Sequence, residues 1–123
     1  MAQVLIIEDE QLVRMVLRDM LEAAGHQVTE AEDGEQGLAQ FGAHPADIVV
    51  TDIVMPRKEG FETIEELRRR HPGVKIIAIS GGDRHRGSGT LTVAKGLGAH
   101  GVLMKPFRRQ ELLAMIDDIL PTA

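Results

Sequence analysis

Cysteine, tryptophan and tyrosine are all absent from this chain, and Phe41, Phe61 and Phe107 are its only aromatic residues. Without thiols there is neither a disulfide framework nor a thiolate zinc site. Three scattered rings cannot build a base-stacking platform for nucleic acid. A formal charge of -5 over 123 residues further disfavours a phosphate backbone as a direct partner. The one dense basic run, Arg68-Arg69-Arg70-His71, lies where a helix is expected to end, so its charge complements the helix dipole. No apolar run approaches the roughly 20 residues of a membrane helix, so no membrane partner is expected. No basic segment precedes the apolar run at Val4; a secretion signal is therefore missing, and a cytoplasmic protein is expected.

What is present is patterned. Apolar residues make up 43% of the chain, enough for one core. The length suits one domain of about 100–200 residues, and residues 1–123 read as that domain, without repeat, linker or low-complexity tract. Val4-Leu5-Ile6-Ile7 stops at Glu8-Asp9, and Ile48-Val49-Val50-Thr51 stops at Asp52. Ile76-Ile77-Ala78-Ile79 stops at Ser80, and Gly101-Val102-Leu103-Met104 stops at Lys105-Pro106. Such short apolar runs read as buried parallel strands. Gln27-Val28-Thr29-Glu30-Ala31 alternates in polarity and suits a half-exposed edge strand.

Helices fill the gaps. From about Glu10 to Ala24, Leu12, Val13, Val16, Leu17, Met20, Leu21 and Ala24 predict a stripe that packs on the sheet, ended by Gly25. Asp33 and Gln36 predict a capping box for a short helix that stops at Gly42. A helix from about Glu59 to Arg70 is expected to bury Phe61, Ile64 and Leu67. A weak one, Thr90 to about Leu97, follows the glycine-rich Gly81–Gly89, and a last one buries Leu112, Leu113, Ile116, Ile119 and Leu120. His26, His44, His71, His85 and His100 lack metal-ligand spacing and read as surface residues. Alternating strands and helices predict an α/β fold: a five-stranded doubly wound parallel sheet, order 2-1-3-4-5, with helices on both faces. Ligands of such sheets bind beyond the carboxyl ends of the strands, at the crevice between the first and third.

Glu8, Asp9, Asp52, Ser80 and Lys105 are the residues that parallel strands bring to that rim. Crowded carboxylates stay ionised only beside a cation. An all-oxygen donor set favours Mg2+ over zinc or copper. Magnesium keeps several waters, so Asp9 and Asp52 are expected as direct ligands and Glu8 as a direct or water-mediated one. The backbone carbonyl of Val54 is the simplest further ligand. An aspartate beside magnesium can attack phosphorus and form an aspartyl phosphate. Lys105 can then pair with one phosphoryl oxygen and Ser80 can donate to another. Asp9 also stands where it can cap the first helix.

Glu8-Asp9, Asp52-Ile53-Val54-Met55-Pro56, Gly60, Ser80 and Lys105-Pro106-Phe107 resemble, in order and spacing, the receiver domain of two-component response regulators. The resemblance covers essentially the whole chain and implies a flavodoxin-like fold. It implies that Asp52 accepts a phosphoryl group from a histidine kinase or histidine phosphotransfer protein, with Mg2+ at Glu8 and Asp9. It further implies a cis Lys105-Pro106 bond. The face made by the Thr90–Leu97 helix, the last strand and the last helix then changes its affinity for a downstream target protein. The chain looks like a single-domain regulator of the chemotaxis type, with no output domain of its own and a monomer or phosphorylation-dependent dimer; a receiver cut from a longer protein would look the same. Such a protein promotes its own phosphorylation and dephosphorylation but is not a turnover enzyme. Val102 departs from the family, which usually has an aromatic ring there that swings inward on activation. Val54 and Gly82 cannot orient a water through a side chain, which implies slow loss of phosphate. The Gly81–Gly89 loop is longer than the family's and reads as a segment that reorders with phosphorylation or partner binding. Two rivals remain. A pseudo-receiver would keep the fold as a binding module without phosphorylation. A phosphatase of the haloacid dehalogenase type needs a second aspartate where Val54 stands, and a cap insertion for which the chain lacks length.

Overall fold

Along each inner strand, alternate residues point to opposite faces of one sheet, and two sets of helices cover those faces. The computed structural model describes residues 2–53, 59–80, 96 and 98–120. Within them the chain runs β1 (Gln3–Ile7), α1 (Gln11–Ala23), β2 (Gln27–Ala31), α2 (Gly34–Ala43), β3 (Ile48–Asp52), α3 (Glu59–Arg70), β4 (Lys75–Ser80), β5 (Gly101–Met104) and α4 (Arg109–Ile119). Every pairing is parallel and the order is β2-β1-β3-β4-β5, as the alternation predicts.

The two-residue period of a strand divides the core in two. Val4, Ile6, Ile48, Val50, Ile77 and Ile79 pack with Leu17 and Leu21 of α1 and with Leu112 and Ile116 of α4. Leu5, Ile7, Val49, Ile76 and Ala78 pack with Phe41 of α2 and with Ile64 and Leu67 of α3. Strands buried on both faces read as unbroken apolar runs. β2, half-buried along most of its length, is an edge. No helix among the described residues is long and apolar enough to cross a membrane.

Local chemistry ends the elements. Gly25 takes φ 92 just after α1, a region costly for any residue with a Cβ. Asp33 caps α2 by accepting from the Gln36 N–H at 2.7 Å, while Gln36 Oε1 accepts from the Glu32 N–H at 3.1 Å. The box therefore closes one residue before the amide of Asp33 itself. Arg69 and Arg70 pair with Glu66 at the end of α3, so that basic run is a solvated helix end.

α1 turns less of its apolar stripe inward than its spacing predicts. Leu17 and Leu21 are buried, but Leu12 is 76% exposed and Val16 52% exposed, and Ala24 is exposed too. Helical spacing marks a stripe wider than the sheet beneath can cover. Two histidines are half-buried and make specific contacts. The His71 ring lies 4.4 Å from that of Phe41, and His26 Nδ1 accepts from the Ala2 N–H at 3.1 Å. His85, the Gly81–Gly89 loop and, apart from Gly96, the Thr90–Leu97 helix lie outside the described residues.

α2 sits tight on β1. A Cβ at Gly37 would come within 2.3 Å of Ile7 Cδ1 and 2.8 Å of Ile7 Cγ1. Ile7 is fully buried and has nowhere to retreat. Gly37→Ala is therefore expected to destabilise the fold by about 1–3 kcal/mol, read as a lower urea midpoint at unchanged slope.

Candidate functional site

Four parallel strands deliver their carboxyl ends to one rim, and ladder bonds carry the register just past each end. Ile7 is level with Thr51, Asp52 with Ile79, and Ser80 with Met104. Beyond them the Glu8 N–H donates to the Ala31 carbonyl at 3.0 Å, the Ile53 N–H to Ile79 at 2.9 Å and the Lys105 N–H to Ser80 at 3.0 Å. The side chains of Glu8, Asp52, Ser80 and Lys105 are thus set side by side by backbone pairing.

Lys105 Nζ lies 3.0 Å from Asp52 Oδ2 and 3.2 Å from Glu8 Oε1. One carboxylate oxygen from each of Glu8, Asp9 and Asp52 lies within 4.8 Å of the others, a spacing that can hold a metal ion. Three carboxylates suit a hard divalent cation better than a soft one. Glu8 and Asp52 are buried, whereas Asp9 is exposed and keeps the cluster open to water. Asp9 does not cap α1: the N-cap is Glu10, without a side-chain cap bond, and the Glu10 N–H donates to Glu8 Oε2 at 3.0 Å. The Ser80 hydroxyl is buried and finds no hydrogen-bond partner among the described residues, a rare state for a buried donor. The Lys105-Pro106 peptide is cis. Val54, and with it the expected carbonyl ligand, lies outside the described residues.

Burial first, and then close polar neighbours, shift the proton affinities of Glu8 and Lys105. Burial, and then the hydrogen bond and charge of Asp52, push the Glu8 carboxyl up to about 8, against a smaller opposing pull from the Glu10 N–H. For Lys105, burial acts to lower the pKa, but the hydrogen bonds and charges of Asp52 and Glu8 outweigh it and raise the ammonium above its ordinary value. Without a cation, Glu8 therefore keeps a proton near neutral pH while Lys105 stays charged.

A family model for the response regulator receiver domain matches residues 4–117. The chain belongs to that family. This receiver domain is 31% identical over 119 residues to the chemotaxis protein CheY of Halobacterium salinarum, covering 96% of each chain. It is 35% identical over 121 residues to the transcriptional regulatory protein CpxR of Klebsiella pneumoniae, of which it spans 50%. Among solved structures, the chemotaxis protein CheY4 of Vibrio cholerae superposes with a TM-score of 0.85 at 29% identity, with 98% of this chain and 99% of that one covered. Receiver domains are signalling modules of two-component systems that interact with histidine kinases and downstream targets.

Two features of this receiver escaped the sequence. Arg14 Nη1 donates to the Glu8 carbonyl at 2.7 Å, and Arg14 Nε to Glu30 Oε1 at 3.1 Å. One partner is backbone and the other sits on a different element, so no local pattern announces them. The exposed part of the α1 stripe is the second. Exposed Leu12 and Val16, with half-buried Met20, line with Pro106 and Phe107 an apolar groove of about 330 Å3 that has Lys105 in its wall.

Proposed function

We propose that residues 1–123 act as a single cytoplasmic receiver domain in which Asp52 takes a phosphoryl group from a protein phosphohistidine. Glu8, Asp9, Asp52 and the Val54 carbonyl hold Mg2+. Lys105 Nζ, 3.0 Å from Asp52 Oδ2 in a pocket of three gathered carboxylates, carries the assignment. A bound Mg2+ supplies charge neutralisation at the phosphoryl oxygens. Asp52 attacks phosphorus with a carboxylate oxygen; the new O–P bond forms as the P–N bond to the donor imidazole breaks. The imidazole leaves with the bonding electron pair and takes up a proton from solvent. Lys105 turns its ammonium from the Asp52 oxygen to a phosphoryl oxygen, which keeps a donor on the charge as it moves. Ser80, buried with its hydroxyl unpartnered, supplies a second donor. Donors already in place need little reorganisation. The phosphorylated domain then changes its affinity for a downstream protein.

A small-molecule phosphodonor with Mg2+ tests this by mass spectrometry. A gain of one phosphoryl group is expected. No gain would make the chain a pseudo-receiver, and continuous phosphate release from many substrates would make it a phosphatase.

A protein donor must bring its histidine to the rim, and the groove beside Lys105 offers it an apolar landing surface. Leu12 is 76% exposed and Val16 52% exposed, enough for an apolar helical face to bury. Leu12→Asp is expected to slow transfer from a protein donor by about tenfold or more, while transfer from the small molecule keeps its rate. Unchanged transfer from the protein donor would remove the groove from donor recognition.

A further inference from the structure

We infer that Arg14 is a positioning residue, holding the loop between β1 and α1 in the geometry that receives the cation; this rests on the metal-site assignment above. Carboxyl oxygens of Glu8, Asp9 and Asp52 crowd within 4.8 Å of one another, and Asp9 rides on that loop. Local anchors are few. The α1 N-cap, Glu10, makes no side-chain cap bond. The Glu10 N–H is tied to Glu8 Oε2, one of the crowded oxygens themselves.

Arg14 supplies the missing anchor from one turn inside α1. Its side chain is only 14% exposed. Nη1 grips the Glu8 carbonyl at 2.7 Å, Nε grips Glu30 Oε1 at 3.1 Å on the edge strand, and its own N–H donates to the Glu10 carbonyl at 3.0 Å. One residue thereby joins loop, helix and strand. The guanidinium can do this because its donors are set in a planar fork; a lysine has a single nitrogen for both partners. Glu30 answers the guanidinium charge, so the loop is restrained without an unmatched cation beside the site. Arg18 also pairs with Glu30, and with Glu22 at 3.1 Å, but its bonds do not reach Glu8. It is a built-in control.

Arg14→Ala, Arg14→Lys and Arg18→Ala, each in the 123-residue chain, would be compared with wild type by calorimetric titration of Mg2+ and by amide exchange without metal. Arg14→Ala is expected to weaken Mg2+ binding by about tenfold, the effect of losing an outer support of a metal site, and to speed exchange of the Glu10 amide. Arg14→Lys restores little of either. Arg18→Ala breaks an ion pair to the same glutamate and leaves both readings near wild type, even where its melting temperature falls as far. Equal effects of Arg14→Ala and Arg18→Ala, or no effect of Arg14→Ala, would overturn the inference. Failure of the wild type to bind Mg2+ would sink the metal-site assignment instead; the metal-free exchange comparison still decides whether Arg14 holds the loop.

Discussion

Asp52→Asn is expected to take up no phosphoryl group under conditions where the wild-type chain takes up one. The amide has nearly the shape of the carboxylate but no oxygen nucleophilic enough to attack phosphorus. Its carbonyl oxygen can still accept from Lys105, now 3.0 Å from Asp52 Oδ2, so the packing around the buried position is kept. Removing the Asp52 charge from beside Glu8 and Asp9 also relieves crowding, and the variant is expected to fold at least as stably as wild type. Loss of uptake in a folded protein then locates the chemistry at one side chain. A phosphoryl mass gain surviving in Asp52→Asn would place it elsewhere and undo the assignment.

Magnesium affinity is expected to rise steeply with pH. Glu8 is pushed from an ordinary 4.5 up to about 8 in the metal-free domain. A cation bound at the cluster must displace that proton, so affinity climbs by about tenfold per pH unit across this window and levels above it. Folding carries the opposite sign. Below 4.5 both folded and unfolded chains hold the proton, and above about 8 both have lost it. Between the two values the folded chain binds one proton more, so metal-free stability falls as pH rises. Lys105, raised from 10.5, stays charged throughout; its contribution is lost only at higher pH, as the folded value is passed. Titration of Mg2+ at a series of pH values, with Glu8→Gln as the variant that lacks the proton, reads the effect directly. A flat affinity in wild type from about pH 5 to 8 would mean that Glu8 is already ionised without the ion.

The strands and their chemical ends were legible because they depend on neighbours a few residues apart. An unbroken apolar run such as Ile48-Val49-Val50 announces burial on both faces, and the alternation in Gln27–Ala31 announces an edge. Once strands alternate with helices, right-handed crossovers leave little freedom in where Asp52 and Lys105 point. The receiver resemblance covered the same residues, and the family match bears it out. Gly25 and Asp33 were legible for a similar reason, since a positive φ and a cap are local events.

Other features needed the assembled chain. The spacing of Leu12 and Val16 gave no sign that β5 and α4 leave them open beside Pro106 and Phe107. His71 looked like a surface residue until α2 brought Phe41 against it. Arg14 looked like any polar helix position, because a bond to a backbone carbonyl leaves no trace in residue types. Sequence alone determined which groups stand at the strand ends, since periodicity and capping act over short stretches of chain. Only the tertiary structure decided which of them are buried, that the Glu8 carboxyl is pushed up, and what holds them, because desolvation and side-chain reach depend on elements far apart in the chain.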